Sequence, residues 1–187
     1  LAGQFQSLEK HYFGIFIFIG PLLSRFLEKT KVRKIIDYLD KIYFLLKKYS
    51  FKIVINEAAI KKELGGFEGK TIGVWGLSFK ANTDDIRESI SIDLIEKMLE
   101  DGAIIKAYDA EGMKNTQEKL GDQIQYCFSP AFAAEEVDAL LIMTEWDEFR
   151  NFDLTKLNGK IKSNTIFDGR NLFDPEEVRS LGFKYIS

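Results

Sequence analysis

Cysteine and histidine are nearly absent from this chain, represented only by Cys127 and His11. A single cysteine excludes an internal disulfide framework and fits a reducing compartment, so a cytoplasmic location is expected. A single histidine removes any multi-histidine zinc site. Long apolar runs are also missing. The strongest, Phe13 to Leu23 (FGIFIFIGPLL), is interrupted by Gly20 and Pro21 and falls short of the about 20 residues that span a bilayer. It is read as a buried segment, with no transmembrane span expected. Positive charge is scarce where a nucleic-acid platform would need it. Residues 1 to 50 carry nine Lys/Arg against four Asp/Glu, but the rest of the chain carries seventeen against twenty-five. An acidic body lacks the clustered cations whose counterion release drives phosphate-backbone binding, so nucleic acid is set aside.

What is present is an ordinary globular composition, 45% apolar and 29% charged, with enough apolar surface to build a core. The 187 residues suffice for one compact domain with roughly forty to fifty residues to spare. The opening residue is Leu1 rather than Met, so a fragment or processed product is expected. Val32, Ile35, Ile36, Leu39, Ile42, Tyr43 and Leu46 recur at helical steps between basic residues, which predicts an amphipathic helix with a solvated basic face and an apolar stripe on a partner. A short strand is expected over Phe51 to Ile55 and a helix over Glu57 to Leu64. Gly65, Gly66 and Gly69 then supply a loop, and the domain boundary is placed there. Residues 1–65 form a helical N-terminal or linker segment and residues 66–187 the main domain.

From Lys70 onward, short continuous apolar runs alternate with helical patterns. The runs are Thr71 to Gly76, Ile104 to Tyr108, Ile124 to Cys127, Ala139 to Thr144, Thr165 to Phe167 and Phe183 to Ile186. Helices are expected near Ser91 to Leu99, Glu111 to Leu120, Ala131 to Val137, and from Asp174-Pro175. Strands that are apolar throughout, each followed by a helix, are covered on both faces. The fold expected is α/β, a doubly wound, mostly parallel sheet of about six strands with helices on both faces. Ligands of such sheets sit beyond the carboxyl ends of the strands, where strand order reverses.

After the first strand, Leu77 to Ser89 forms a polar loop far longer than a connection needs. It carries Lys80 and Arg87 and feeds a helix whose first turn favours an anion, so an anionic ligand is implied. Asp84, Asp85 and Glu88 read first as helix-capping and first-turn acids. Arg87 has two readings, ligand contact or salt-bridge partner of those acids. After the fourth strand stands Thr144-Glu145-Trp146-Asp147-Glu148-Phe149, and after the fifth Asp168-Gly169-Arg170-Asn171. Arg170 can fork onto a phosphate or a sugar hydroxyl, whereas Trp146 and Phe149 read as packing residues. The familiar dinucleotide fingerprint is missing: the turn Gly73-Val74-Trp75-Gly76-Leu77-Ser78-Phe79 is not Gly-x-Gly-x-x-Gly, and Asp109 lies over thirty residues on rather than about twenty. Cys127 has no nearby base and reads as a buried structural thiol. A receiver-like signalling domain would need paired acids where Leu77, Ser78 and Phe79 stand.

Together the segments GLSFKANTDDIRES (76–89), TEWDEF (144–149) and DGRN (168–171) resemble the C-terminal, UDP-sugar-binding domain of the UDP-glucose/GDP-mannose 6-dehydrogenase family, over about residues 66–187. The Thr-Glu-Trp segment leans toward the UDP-glucose branch. The resemblance implies an NAD-dependent oxidoreductase that converts UDP-glucose to UDP-glucuronate in two successive NAD reductions. This chain would be its sugar-nucleotide half. Its partners would be the UDP-sugar substrate, an N-terminal NAD-binding Rossmann half and, in the full-length protein, further copies in a homo-oligomer. Phe79, Lys80 and Arg170 would contact the sugar nucleotide, and Arg87 would reach the NAD cofactor.

The departures are equally specific. The family's Gly-Gly-Ser-Cys-Phe-Pro-Lys-Asp-type segment with its catalytic cysteine has no counterpart around Cys127, and the catalytic lysine and asparagine of the central region are missing too. No catalytic residue is assigned, and the isolated chain is expected to be inactive as a dehydrogenase. The rival reading is a non-catalytic binding or assembly module that keeps the fold.

Overall fold

A computed structural model describes residues 57–187; the apolar run at 13–23, the helix at 32–48 and the strand at 51–55 lie outside the described residues. The chain forms α1 (Glu57–Leu64), β1 (Thr71–Trp75), α2 (Ile90–Glu100), β2 (Ile104–Tyr108), α3 (Met113–Leu120) and β3 (Gln125–Tyr126). It continues through α4 (Pro130–Ala133), β4 (Val137–Ile142), α5 (Asp147–Arg150), β5 (Ile161–Asp168), α6 (Pro175–Ser180) and β6 (Lys184–Ile186). The six strands make one sheet in the order β3-β2-β1-β4-β5-β6, and every pairing is parallel. This is the expected doubly wound α/β sheet, and strand order reverses between β1 and β4.

Because successive strand residues face opposite sides, β1 feeds two cores at once. Ile72 and Val74 join Ile92, Ile95 and Met98 of α2 on one face. Trp75 joins Leu140, Ile142 and Phe149 on the other. In α2 the buried positions Ile92, Ile95 and Met98 recur at three-residue steps, the stripe a helix needs to lie on a sheet. Each such fully buried side chain contributes about 1.5–3 kcal/mol. Helix α1 also enters the first core, where Ile60 is fully buried beside Phe67.

Several boundaries differ from the sequence expectation for identifiable reasons. The helix expected to reach Val137 stops at Ala133, because Glu136 adopts φ 60° and its N–H donates to Lys160 O at 2.9 Å, turning the chain into β4. The helix expected from Glu111 starts at Met113, since the N–H groups of Glu111 and Gly112 donate instead to Asp109. The Asp174-Pro175 start is as expected: Asp174 Oδ1 accepts from Glu176 N and Glu177 N, with Pro175 in the first turn.

Close approaches at the sheet centre depend on bare backbone. A Cβ at Gly73 would lie 2.5 Å from Ala133 O, and one at Gly76, where φ is 99°, would lie 2.1 Å from Thr144 Oγ1. Only glycine lets α4 lie on β1 and lets the ends of β1 and β4 meet.

Candidate functional site at the carboxyl edge of the sheet

Three loops leave the carboxyl edge at the reversal point: Gly76–Ser89 after β1, Met143–Trp146 after β4 and Gly169–Leu172 after β5. The first is long but folded back on itself. Phe79 N donates to Asp85 O at 2.8 Å, Ser89 Oγ donates to Leu77 O at 2.7 Å and Ser91 Oγ to Gly76 O at 2.6 Å. Ser89 is the N-cap residue of α2, yet its hydroxyl is turned to Leu77 and makes no cap bond.

Asp109, at the end of β2, is the hub of this edge and was missed as a functional position in the sequence. It is 1% exposed. Its Oδ2 accepts from Leu77 N (2.7 Å), Ser78 N (3.0 Å) and Trp146 Nε1 (3.2 Å). Its Oδ1 accepts from Ser78 Oγ (2.9 Å), Glu111 N (3.0 Å) and Gly112 N (2.7 Å). Six donors replace the water a buried carboxylate has lost. The turn after β1, where a dinucleotide-binding fold offers its N–H groups to a pyrophosphate, here gives those of Leu77 and Ser78 to an internal acid. The signal available in sequence was position, an aspartate directly following a strand.

Arg170 ties the other loops together. Its Nε donates to Met143 O at 2.7 Å, Nη2 donates to Phe79 O at 3.3 Å, and Nε lies 3.2 Å from Glu145 Oε2. Its side chain is 13% exposed. Burial pulls the guanidinium below its ordinary range, against the opposing pull of Glu145 and Asp168. The turn presenting it is built by Asp168, fully buried, which accepts from Arg170 N and Leu172 N and from the Tyr185 hydroxyl. Asn171 takes φ 52°, a left-handed position that asparagine tolerates better than most residues.

The structure therefore brings Phe79 and Arg170 into direct contact. Lys80, next to Phe79, is exposed and makes no hydrogen bond or ion pair among the described residues. Arg87 behaves differently. It is 87% exposed and forks onto Asp85, with Nε 2.9 Å from Oδ1 and Nη2 2.7 Å from Oδ2. That hydrogen-bonded pairing holds the Asp85 carboxyl down at about 2. The acids of this loop do not cap α2 as expected, because Asp85 instead accepts from Arg87 N in a local turn. Trp146 and Phe149 are buried, and Phe149 stacks on Trp75 with centroids 5.3 Å apart. Cys127 is buried, and burial pushes its thiol up. Among the described residues no acid, histidine and cysteine cluster suited to a metal occurs, and no helix is long and apolar enough to cross a membrane.

The Tyr185–Asp168 contact predicts an alkaline limit on stability. Burial, reinforced by the neighbouring Asp168 charge and hydrogen bond, raises the Tyr185 phenol well above its ordinary value of 10.0. The folded state holds that proton more tightly than the unfolded chain, so the contribution is complete below pH 10 and is lost as pH rises beyond it. Tyr108, pushed up to about 12 by burial and then by Glu148, acts in the same direction. Thermal melts are expected to show a melting temperature that falls above pH 10, with a shallower fall in Tyr185→Phe. At neutral pH that variant is expected to lose about 1.5–3 kcal/mol, the usual range for a hydrogen bond to a charged group. Equal alkaline slopes would remove Tyr185 from this account.

Comparison with known proteins agrees with these loops. The UDP-glucose/GDP-mannose dehydrogenase family, UDP binding domain, matches residues 73–175, more than half of the chain. UDP-glucose 6-dehydrogenase TuaD of Bacillus subtilis (strain 168) is 40% identical over 124 residues, covering 66% of this chain and 27% of that one. The UDP-glucose 6-dehydrogenase of Rhizobium meliloti (strain 1021) is 42% identical over 123 residues, covering 66% and 28%. The chain thus spans little more than a quarter of the length of these curated relatives. Among solved structures, a UDP-glucose dehydrogenase from the hyperthermophilic archaeon Pyrobaculum islandicum superposes with TM-score 0.58 at 26% identity, covering 92% of this chain and 34% of that one. The match spans all three carboxyl-edge loops, and the chain belongs to the UDP-glucose/GDP-mannose dehydrogenase family, whose UDP binding domain it carries.

Proposed function

We propose that residues 66–187 form the UDP-sugar-binding portion of an NAD-dependent UDP-glucose 6-dehydrogenase-like oxidoreductase, one that oxidises UDP-glucose to UDP-glucuronate with two NAD reductions. The observation that carries this reading is the meeting of the Phe79-Lys80, Glu145 and Arg170 loops at the strand-order reversal. There a semi-buried guanidinium and an exposed ammonium flank one edge of the sheet. Arg170 is suited to fork onto phosphate or sugar oxygens, and Lys80 supplies a mobile point charge for the diphosphate. The half-buried Phe79 ring offers an apolar wall. Arg87 is assigned to the cofactor, for which it would have to leave Asp85. The turn after β1 does not fit a dinucleotide well, because Asp109 takes its amides. NAD is therefore assigned mainly to an N-terminal partner half, and no hydride-transfer step is derived from this chain. The complete enzyme is expected to be cytoplasmic and homo-oligomeric.

Lys80→Ala is the clean test of the ligand role, because that side chain holds nothing together among the described residues. It is expected to weaken UDP-glucose binding about tenfold, one lost charge-assisted contact, with an unchanged melting temperature. The chain alone is expected to form no NADH from UDP-glucose and NAD. Unchanged affinity in Lys80→Ala would remove Lys80 from the site, and NADH formation would place catalytic groups within this chain.

A further inference from the structure

Two adjacent residues in the loop after β4 carry buried polar atoms without a hydrogen-bond partner: Thr144 Oγ1 and Glu145 Oε2. Buried polar groups are almost always satisfied, and those that are not call for an explanation. Glu145 Oε2 lies 3.2 Å from Arg170 Nε, yet that N–H is directed to Met143 O at 2.7 Å. Oε2 sits beside the guanidinium's charge without receiving a hydrogen bond in return, on a side chain that is 29% exposed. The ion pair is close but poorly aligned, as expected where one anion stands in for another that fits better. The whole contact lies at the strand-order reversal, on the same guanidinium assigned above to the nucleotide sugar.

We propose that Glu145 is an internal competitor at this site, a positioning residue whose carboxylate holds Arg170 between the loops and yields it to an anionic oxygen of the nucleotide sugar. The proposal rests on the UDP-sugar reading and adds a residue that sets affinity rather than supplying it. No bond is made or broken; one ion pair replaces another. A ligand diphosphate must both displace the Glu145 charge and tolerate it nearby, since like charges a few ångströms apart repel. Removing that charge while keeping the side chain's shape should strengthen anion binding, the opposite of what loss of a merely structural contact would do.

The test is calorimetric titration of the whole chain, as wild type, Glu145→Gln and Glu145→Asp, with UDP-glucose and with inorganic pyrophosphate, alongside thermal melts. Glu145→Gln is expected to bind both about tenfold more tightly, with a melting temperature equal to or below that of the wild type. Glu145→Asp, which keeps the charge, is expected to stay near wild type and guards against an amide-specific effect. Binding by Glu145→Gln where the wild type is silent supports the proposal as well. Equal or weaker binding by Glu145→Gln overturns the proposal and leaves the UDP-sugar reading standing. Absence of binding by all three proteins overturns both.

Discussion

Asp109→Asn is expected to destabilise the domain by about 3–5 kcal/mol, a loss that falls in the exceptional tail for single substitutions. The cause is geometric. Each carboxylate oxygen of Asp109 accepts three hydrogen bonds, from Leu77 N, Ser78 N and Trp146 Nε1 on one side and from Ser78 Oγ, Glu111 N and Gly112 N on the other. An asparagine must place an NH₂ group against one of those sets. Three donors then face a donor, and each buried unsatisfied group costs about 1–3 kcal/mol before relaxation. There is no space for a general rearrangement, because a Cβ at Gly112 would already meet Ser78 Oγ at 2.5 Å. Urea denaturation with an unchanged slope and a lowered midpoint would register the effect. A loss below about 1 kcal/mol would mean that the hub is not what holds the β1 loop to β2 and α3.

Arg170→Ala is expected to show two losses at once, and their combination distinguishes it from Lys80→Ala. The first is stability, by about 2 kcal/mol, since the change removes hydrogen bonds to Met143 O and Phe79 O and strands Glu145 without a counter-charge. The second is affinity for UDP-glucose, by about 1–3 kcal/mol for a charge-assisted contact, or roughly five- to 150-fold. Arg170→Lys is expected to recover little of either, because an ammonium cannot reproduce a fork that spans two backbone carbonyls. Chemical denaturation reads the first loss and titration the second. A destabilised variant that binds UDP-glucose as the wild type does would reduce Arg170 to a loop clamp.

The sheet was legible because its signals are local. The runs TIGVW, IIKAY and VDALLI are mostly apolar without strict alternation, Lys106 and Asp138 excepted, and the pair Asp174-Pro175 marks a helix start by its own chemistry. Where expectations slipped, a distant partner was responsible. Helix α4 ends early because Glu136 bonds to Lys160, which the sequence places twenty-four residues later. Lys80, Arg87 and Arg170 were visible as cations at strand ends, but their states were not. That Arg87 lies on Asp85 while Lys80 has no partner among the described residues depends on how the loop folds back through Phe79 N and Asp85 O. Asp109 was discounted because its spacing fails a dinucleotide pattern. The same position at the end of β2 lets it take the turn amides for itself. Glu145 and Asp168 both follow strands in the sequence, and only burial and hydrogen-bond geometry separate the well-satisfied Asp168 from the poorly satisfied Glu145.

The central claim is that the carboxyl edge binds a uridine nucleotide sugar, and calorimetric titration of the chain with UDP-glucose tests it most directly, with GDP-mannose and UMP as comparators. The account predicts saturable one-to-one binding of UDP-glucose, stronger than that of either comparator, weakened in Lys80→Ala without loss of stability and in Arg170→Ala with it. Equal affinity for GDP-mannose, or no heat with any of the three ligands from a chain that melts cooperatively, would contradict it.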